Sequence, residues 1–182
     1  TFDPAPQTNP VTYSDGNLTA KSLDNTHYWA IYPTMPVSSG KWYAEFTFSS
    51  SDSMWVSVQV TDIVLANSGN MYSQDLPGSI SYSNSGNAYQ NKTYFSGWGS
   101  LVQVGNVMGV ALDFDGRSVE FFNNNISQGS LAMLGEGATT DSVMFCGAVA
   151  GNQSNTIFAN FGQRTFKHDP PEGFLPLCTD NL

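Results

Sequence analysis

Acidic residues are concentrated in the stretch GVALDFDGRSVEFF, residues 109–122. Asp113, Asp115 and Glu120 are of a type that binds calcium or transfers protons. Calcium takes about six to eight oxygen ligands, however, and this stretch supplies few. Asp115 and Gly116 are instead a two-residue signal for a hairpin turn of type I′, which requires positive φ at both central residues. We therefore predict a structural β-hairpin here and no metal site.

Folding the chain at this turn predicts a cross-strand register in which apolar residues meet apolar residues. Asp113 then faces Ser118, so that neither aspartate needs a chemical role. Phe122 lies opposite Gly109, where an aromatic ring can cover a position without a side chain. The remaining predicted pairs are Phe114 with Arg117, Leu112 with Val119, and Val110 with Phe121.

The other candidate acids, bases and nucleophiles also lack a catalytic pattern. A glycosidase needs two carboxylates about 5–10 Å apart across a cleft, and no acidic run typical of such enzymes occurs. Neither His27 nor His168 lies in a nucleophile motif. Cys146 and Cys178 fit no zinc or redox spacing and form either one disulfide or two free thiols. We predict no catalytic residue, no metal and no cofactor. The glutamates considered are Glu45, Glu120, Glu136 and Glu172.

Composition indicates a folded, acidic domain. Hydrophobic residues make up 40% of the chain, aromatic residues 13% and charged residues only 12%, with a formal net charge of −9. This balance argues against nucleic acid or an anionic membrane as a partner, because both attract a basic face. No apolar run approaches the roughly 18–20 residues of a membrane span, and no signal peptide is visible at the start.

Period-two alternation of apolar residues predicts that the chain folds mainly into short β-strands. In KWYAEFTF (41–48), Trp42, Ala44 and both phenylalanines alternate with more polar residues, and in MWVSVQV (54–60) Met54 and the valines alternate likewise. Residues 130–137 are compatible with one short helical turn at most. Short alternating strands separated by Gly, Asn and Ser indicate an antiparallel β-sandwich or barrel.

One long polar segment interrupts this pattern. Residues 62–106 carry tyrosines and a tryptophan among Ser, Asn and Gly, and loops of such length in a compact domain are usually functional or disordered. The aromatic spacing predicts at least one hairpin in this segment, within SYSNSGNAY, with Ser85–Gly86 near its turn.

Three motifs, in order along the chain, carry a family resemblance. MGVALDFDGRSVEFFNNN (108–125) resembles the central hairpin of SPRY domains, with the pattern I-G-V-x-L-D-x-D-x-G-x-x-x-F-x-x-N-G. SSGKWYAEFTF (38–48) is similar to the early G-K-W-Y-W-E-V strand of that family. FANFGQRTFKHDPPEGFLPL (158–177) is similar to its ending. The chain departs from the pattern at Ala44, at Asn125, which replaces a glycine, and at Thr165, which replaces a proline.

The resemblance implies an all-β fold: a bent antiparallel β-sandwich of the SPRY or concanavalin A-like jelly-roll type. Residues 38–182 would form the SPRY-like sandwich, and residues 1–37 would be lead-in strands that pack on it, within one globular domain overall. The first twenty residues resemble the lead-in of SPRY-like modules from phage and bacterial structural proteins, in which S-x-G-N-L-T is a common strand start.

The resemblance also implies where binding residues would lie. SPRY domains use loops at one end of the sandwich to recognise peptides or proteins, and the matching loops here carry Tyr72 and Asn152–Gln153, with Tyr82 at the end of a neighbouring strand. A tyrosine ring with amide groups beside it suits peptide or sugar recognition. We expect Tyr72, Tyr82, Asn152 and Gln153 to converge at one edge of the sandwich and to be partly exposed, unless the tyrosines only pack the loop.

The function expected first is a non-catalytic recognition or structural domain on a virion surface, such as a phage tail or capsid. Its partners would be a protein or glycan on a host surface, or other virion proteins, and a parent assembly would allow an oligomer. The alternative is a cellular, cytoplasmic SPRY adaptor that binds a short peptide. An enzyme of concanavalin-like fold is the third hypothesis. The location expected first is accordingly the virion surface or the extracellular space.

Overall fold

Fourteen β-strands make up about half of the described chain. The computed structural model describes residues 1–4, 11–23, 29–49, 54–61, 76–135, 142–149 and 155–181. A 3₁₀ turn spans Thr179–Asn181. The strands are β1 (Val11–Ser14), β2 (Thr19–Ser22), β3 (Trp29–Ile31), β4 (Lys41–Phe48), β5 (Met54–Val60), β6 (Ile80–Ser83), β7 (Ala88–Gln90), β8 (Thr93–Phe95), β9 (Val107–Asp113), β10 (Ser118–Asn123), β11 (Ile126–Ala132), β12 (Val143–Val149), β13 (Thr156–Asn160) and β14 (Leu175–Pro176).

These strands form two sheets. The larger sheet has the order β1-β2-β13-β4-β9-β10-β11, with β14 pairing β4 as its eighth strand, and the smaller sheet has the order β3-β12-β5-β6-β7-β8. All strand pairs are antiparallel except β14 with β4. This arrangement confirms the predicted all-β antiparallel sandwich. No helix in the described ranges is long and apolar enough to cross a membrane.

Alternating side chains of both sheets fill the core between them. From β4, Trp42, Ala44, Phe46 and Phe48 are buried in the core cluster, as the alternation predicts. From β5, Met54 and the valines at 56, 58 and 60 join the same cluster. Burial of such side chains contributes about 1.5–3 kcal/mol each relative to exposure, so this alternation is the main determinant of which face of each strand turns inward.

The hairpin of β9 and β10 has the predicted register, including the pairs Asp113–Ser118, Val110–Phe121 and Gly109–Phe122. The predicted type I′ turn is wrong. Within the turn, positive φ falls on Arg117 (56°) and on neither Asp115 nor Gly116. The amide of Arg117 donates to the carbonyl of Phe114 at 3.3 Å, so Asp115 and Gly116 are the central residues of the turn, but the strand pairing ends at Asp113–Ser118 and does not include Phe114 and Arg117.

Contacts of the two aspartates explain this turn. Asp113 Oδ1 accepts a hydrogen bond from the Gly116 amide at 2.6 Å, and its other oxygen pairs with Lys41 Nζ at 2.8 Å. Partial burial raises the pKa of Asp113, but the bonds from Lys41 and Gly116 and the lysine charge outweigh it and hold that pKa below its ordinary value. The Asp115 carboxylate accepts from the Gly40 amide at 3.1 Å. Both aspartates therefore hold the hairpin against the start of β4.

The Tyr43 ring is the group nearest to Gly109, whose cross-strand partner on β10 is Phe122, as predicted. A Cβ at Gly109 would lie 3.0 Å from ring carbons of Tyr43 and closer still to its hydroxyl. Glu45 is the direct partner of Gly109 on β4. The absence of a side chain at 109 thus gives the Tyr43 ring its place on the outer face of the larger sheet.

Two further expectations concern the neighbouring turns. The predicted hairpin in SYSNSGNAY is confirmed, since β6 pairs with β7 and Gly86, in the turn, has a φ of 80°. The possible helical turn over 130–137 is not formed at its start, because residues 130–132 continue β11. The strand continues because its residues pair with β10 through Ser118–Ala132 and Val119–Leu131.

Residues before 38 contribute to both sheets. The strands β1 and β2 extend the larger sheet beyond β13, and β3 is an edge of the smaller one. Phe2 is fully buried and meets the Phe161 ring edge-on, with ring centroids 5.7 Å apart. Leu18 and Ala20 also belong to the core cluster.

Candidate functional site

Three of the four predicted binding residues lie outside the described residues: Tyr72, Asn152 and Gln153. The described positions that flank their loops are far apart along β5. The loop with Tyr72 follows the end of β5, whereas Val149, before the other loop, pairs with Met54 at the start of β5. The convergence of the four residues stays a prediction.

Tyr82 differs from the expectation of partial exposure, because it is fully buried. Its ring bridges the two sheets. The ring centroid lies 5.7 Å from that of Phe121 on β10 and 5.6 Å from that of Trp98, in the loop after β8. Burial is the physical reason for the correction: on β6 this side chain points into the core, in register with Val56 of β5.

The hydroxyl of Tyr82 supports a loop from inside the protein. It donates to the carbonyl of Ser100 and lies 3.3 Å from Gln128 Oε1. The same Gln128 oxygen accepts from the Ser100 amide at 2.7 Å and from the Ser100 hydroxyl at 2.8 Å. Burial raises the pKa of Tyr82, while the bond to Ser100 opposes that rise. Side chains of two separate strands, β6 and β11, therefore fix the position of Ser100.

Asn123, buried at the end of β10, holds the next part of this loop. Its Nδ2 donates to Ser100 Oγ and to the carbonyl of Leu101, both at 3.0 Å. Its Oδ1 accepts from Asn106 Nδ2 at 3.0 Å. The adjacent Asn124 exchanges two bonds with Val107, one from each amide, at 2.8 and 2.9 Å. The loop of residues 100–106 is thereby tied to the turn between β10 and β11.

Three apolar side chains project from this tied region into solvent. Ile126 is 69% exposed, Leu101 62% and Val104 54%, the highest values of any large hydrophobic side chain in the described part of the protein. Gln103 and Asn125 are exposed beside them. These five residues are referred to below as the end surface: Leu101, Gln103, Val104, Asn125 and Ile126.

The end surface is neutral in an acidic protein. No charged residue occurs from residue 93 to 112 or from 121 to 135. Sequence reasoning missed these residues because they belong to two segments whose proximity depends on Asn123. The available signal was the uncharged composition of GSLVQVGN and NNNISQGS, in which single apolar residues stand among amides and glycines.

A concave feature lies on the outer face of the larger sheet. It is a cleft of about 380 Å³ whose lining includes Thr47, Phe158 and Lys167. The Glu45 carboxylate also lines it, yet accepts backbone hydrogen bonds from Lys167 at 2.8 Å and from His168 at 2.9 Å. Glu45 thus holds the segment after β13 against the sheet.

A tyrosine with a raised pKa, Tyr43, also lies on the outer face. Burial raises the pKa of Tyr43, and the charge of Glu45 and a hydrogen bond with it raise the pKa further. The ring of Phe166 meets Tyr43 edge-on, with centroids 5.0 Å apart. Tyr43 and Glu45 therefore both contact the segment after β13 that crosses β4.

Glu120, another candidate acid, also has a structural partner. Glu120 accepts from the Ser127 hydroxyl at 2.5 Å. Cys178 is a free, half-buried thiol, so it does not form the disulfide that the sequence left open. Glu136 and His27 lie outside the described residues. Within those ranges, no group of three or more His, Cys, Asp or Glu side chains is arranged to hold a metal ion.

Comparison with known proteins gives a likeness of fold. No family model and no curated protein sequence matches the chain. Among solved structures, the SPRY domain of human HERC1 matches with a TM-score of 0.68 and 15% identity, over 91% of this chain and 100% of that one. The TRIM65 PSpry domain matches with a TM-score of 0.61 and 15% identity, over 88% of this chain and 90% of that one. Stonustoxin matches with 0.64 and 18%, over 88% of this chain but 26% of its own.

At these low sequence identities, the structural likeness establishes the fold and nothing further. The topology, the inward faces of β4 and β5 and the central hairpin agree with the three sequence motifs. None of the likenesses points to a phage or viral type. The chain has the bent β-sandwich fold of SPRY domains.

Proposed function

We propose that this chain is a non-catalytic recognition module that binds a protein partner. The observation that carries the proposal is the combination of a SPRY fold over 91% of the chain with a fixed, solvent-exposed apolar surface at one end of the sandwich. Preformed surfaces of this kind lower the entropic cost of binding, because the contacting groups are ordered beforehand.

The occupied carboxylates support a binding role over an enzymatic one. Glycoside hydrolysis needs one carboxyl group to donate a proton and another to act as base or nucleophile. Glu45 instead holds two backbone amides, Asp113 pairs with Lys41, and Asp115 holds Gly40. Each of these carboxylates is engaged in holding the fold.

We also propose that the module acts in a cell rather than on a virion. A cellular protein–protein module agrees with the likeness to the HERC1 and TRIM65 domains at least as well as a virion domain does. We therefore propose the cellular, cytoplasmic adaptor in place of the virion domain, which the resemblance of the first twenty residues suggested. A glycan partner has no supporting observation among the described residues.

Selection from a random-peptide display library against the immobilised chain tests the binding role. We expect enrichment of a sequence motif, and a synthetic peptide with that motif should bind saturably in isothermal titration calorimetry, with a Kd on the order of micromolar. Failure of every enriched peptide to bind saturably would contradict the proposal. The heat-unfolded chain serves as the control for non-specific adsorption.

A further inference from the structure

We infer that the end surface is the peptide-binding surface, and that its partner is a short peptide segment with at least two apolar side chains and no acidic residue. This inference rests on the proposed function and adds the site and the chemistry of the partner. The three most exposed large apolar side chains of the described structure are Leu101, Val104 and Ile126. Asn123 donates to the Leu101 carbonyl and pairs with Ile126 across the turn between β10 and β11, and Val104 lies in the same loop as Leu101.

Exposure of these side chains is maintained by the structure around them. Leu101 cannot fold back freely, because its carbonyl is bonded to Asn123 and the preceding Ser100 is bonded to Gln128 and Tyr82. Ile126 follows a two-residue turn in which both central residues have positive φ, Asn124 at 48° and Asn125 at 65°. Such a turn fixes the direction of the chain on either side. The apolar groups are thus held in water at a cost that binding would recover.

The size of the end surface favours a short peptide over a second copy of the chain. Three exposed side chains offer on the order of a few hundred Å². A stable interface between two proteins buries about 800 Å² on each partner. A net charge of −9 also makes two copies repel each other. A peptide segment needs only two or three apolar anchors, which this surface can seat.

Charge and hydrogen bonding define the chemistry of the peptide. The end surface itself is uncharged, whereas the protein as a whole is acidic, so an acidic peptide would be repelled at long range. The exposed amides of Gln103 and Asn125 supply donors and acceptors for a peptide backbone next to the apolar side chains. An uncharged or basic peptide with apolar side chains satisfies both requirements.

A pair of double variants tests the inference with the peptide selected on the wild-type chain. Leu101→Ser with Ile126→Ser should raise the Kd by about tenfold or more, since both anchors lose their apolar surface. Leu134→Ser with Leu175→Ser is the matched control, because these leucines are each 48% exposed and lie outside the end surface. It should leave the Kd unchanged, and both variants should retain the wild-type melting temperature.

The outcomes separate the inference from the proposed function. If the selected peptide is acidic, or if it binds the Leu101/Ile126 variant as tightly as the wild type, the inference is overturned while the recognition role stands. If no peptide binds the wild type saturably, the recognition role itself is overturned. Should the double variant fail to fold, Val104→Asp places an acid in the same surface, and undiminished binding by that variant overturns the inference equally.

Discussion

Tyr82 connects the core of the protein to the loop that presents Leu101. Its ring lies between the two sheets, and its hydroxyl holds the Ser100 carbonyl. A tyrosine predicted as a binding residue is therefore a supporting residue of a different surface. The distinction matters because a supporting residue affects stability and binding together, whereas a contact residue affects binding alone.

Removing that hydroxyl should destabilise the protein. Tyr82→Phe removes a part-buried hydrogen bond to the Ser100 carbonyl, so we expect a loss of about 1 kcal/mol in the free energy of unfolding. Tyr94→Phe is the matched control, since that ring is 50% exposed, and should change the free energy by less than about 0.5 kcal/mol. Urea unfolding followed by fluorescence measures both, and equal stability of the two variants would rule out the supporting role.

Tyrosine titration predicts loss of stability at alkaline pH. Burial first, and then Glu45, raises the pKa of Tyr43. The folded protein therefore retains this proton at pH values where the unfolded chain, with a tyrosine pKa of about 10, releases it. The stability contributed is complete below about pH 10 and declines as the pH rises through the raised folded value.

The measurement is urea unfolding at several pH values between about 8 and 11. The wild-type free energy of unfolding should fall above pH 10, and Tyr43→Phe should show a smaller fall. Tyr82 titrates with a raised pKa as well, so some decline should remain in the variant. An identical pH dependence in wild type and Tyr43→Phe would refute the part assigned to Tyr43.

Hairpin turns determine which residues lie on the end surface. The turn between β10 and β11 places Asn124 and Asn125 in the left-handed region, where asparagine is tolerated better than other residues with side chains. The SPRY-like pattern has glycine at the second of these positions. Asparagine thus keeps the backbone geometry of that pattern while adding an exposed amide to the end surface.

Substitutions at Asn125 should separate backbone strain from side-chain contacts. Asn125→Gly should preserve or slightly raise the free energy of unfolding, whereas Asn125→Ala should lower it by about 1 kcal/mol, because a Cβ without a local hydrogen-bonding group resists positive φ. Thermal unfolding of the two variants gives the comparison. If the alanine variant were as stable as the glycine variant, the turn would not require a left-handed residue.

Strands and their register could be predicted from the sequence where neighbouring residues determine them. Alternation in β4 and β5, and the register of β9 with β10, depend on neighbouring residues and were predictable. The turn type was not, because Asp115 is bonded to Gly40, 75 residues earlier in the chain. The end surface could not be predicted either, because it also depends on a contact between distant residues. Leu101 and Ile126 come together through Asn123, a contact that no local pattern indicates.

Burial of individual side chains was also beyond the sequence pattern. Tyr82 has the composition of a binding residue, but Phe121 and Trp98 enclose it from distant parts of the chain. A tyrosine in a strand carries no local mark that distinguishes a core ring from an exposed one. Of the four predicted binding residues, Tyr82 alone falls within the described chain, and the roles of the other three remain predictions.

The described part of the molecule is an acidic sandwich, and its end around Leu101 and Ile126 is neutral and apolar. Carboxylates and cations along its sides hold hairpins and crossing segments, as in the pair Lys41–Asp113 and the pair Arg164–Asp15. Exposed ion pairs of this kind contribute little stability each, while the net charge keeps copies apart. Recognition through the uncharged end is consistent with this distribution, because binding there separates no ion pair.

Titration of the isotope-labelled chain with the selected peptide locates the peptide on the surface of the protein. In two-dimensional amide spectra, the signals of residues 100–106 and 123–128 should shift, and those of the opposite end, around Leu134 and Leu175, should stay in place. We expect this localised pattern because the apolar anchors of the end surface lie in those two segments. Shifts confined to the cleft around Phe158 and Lys167, or to the opposite end, would contradict it.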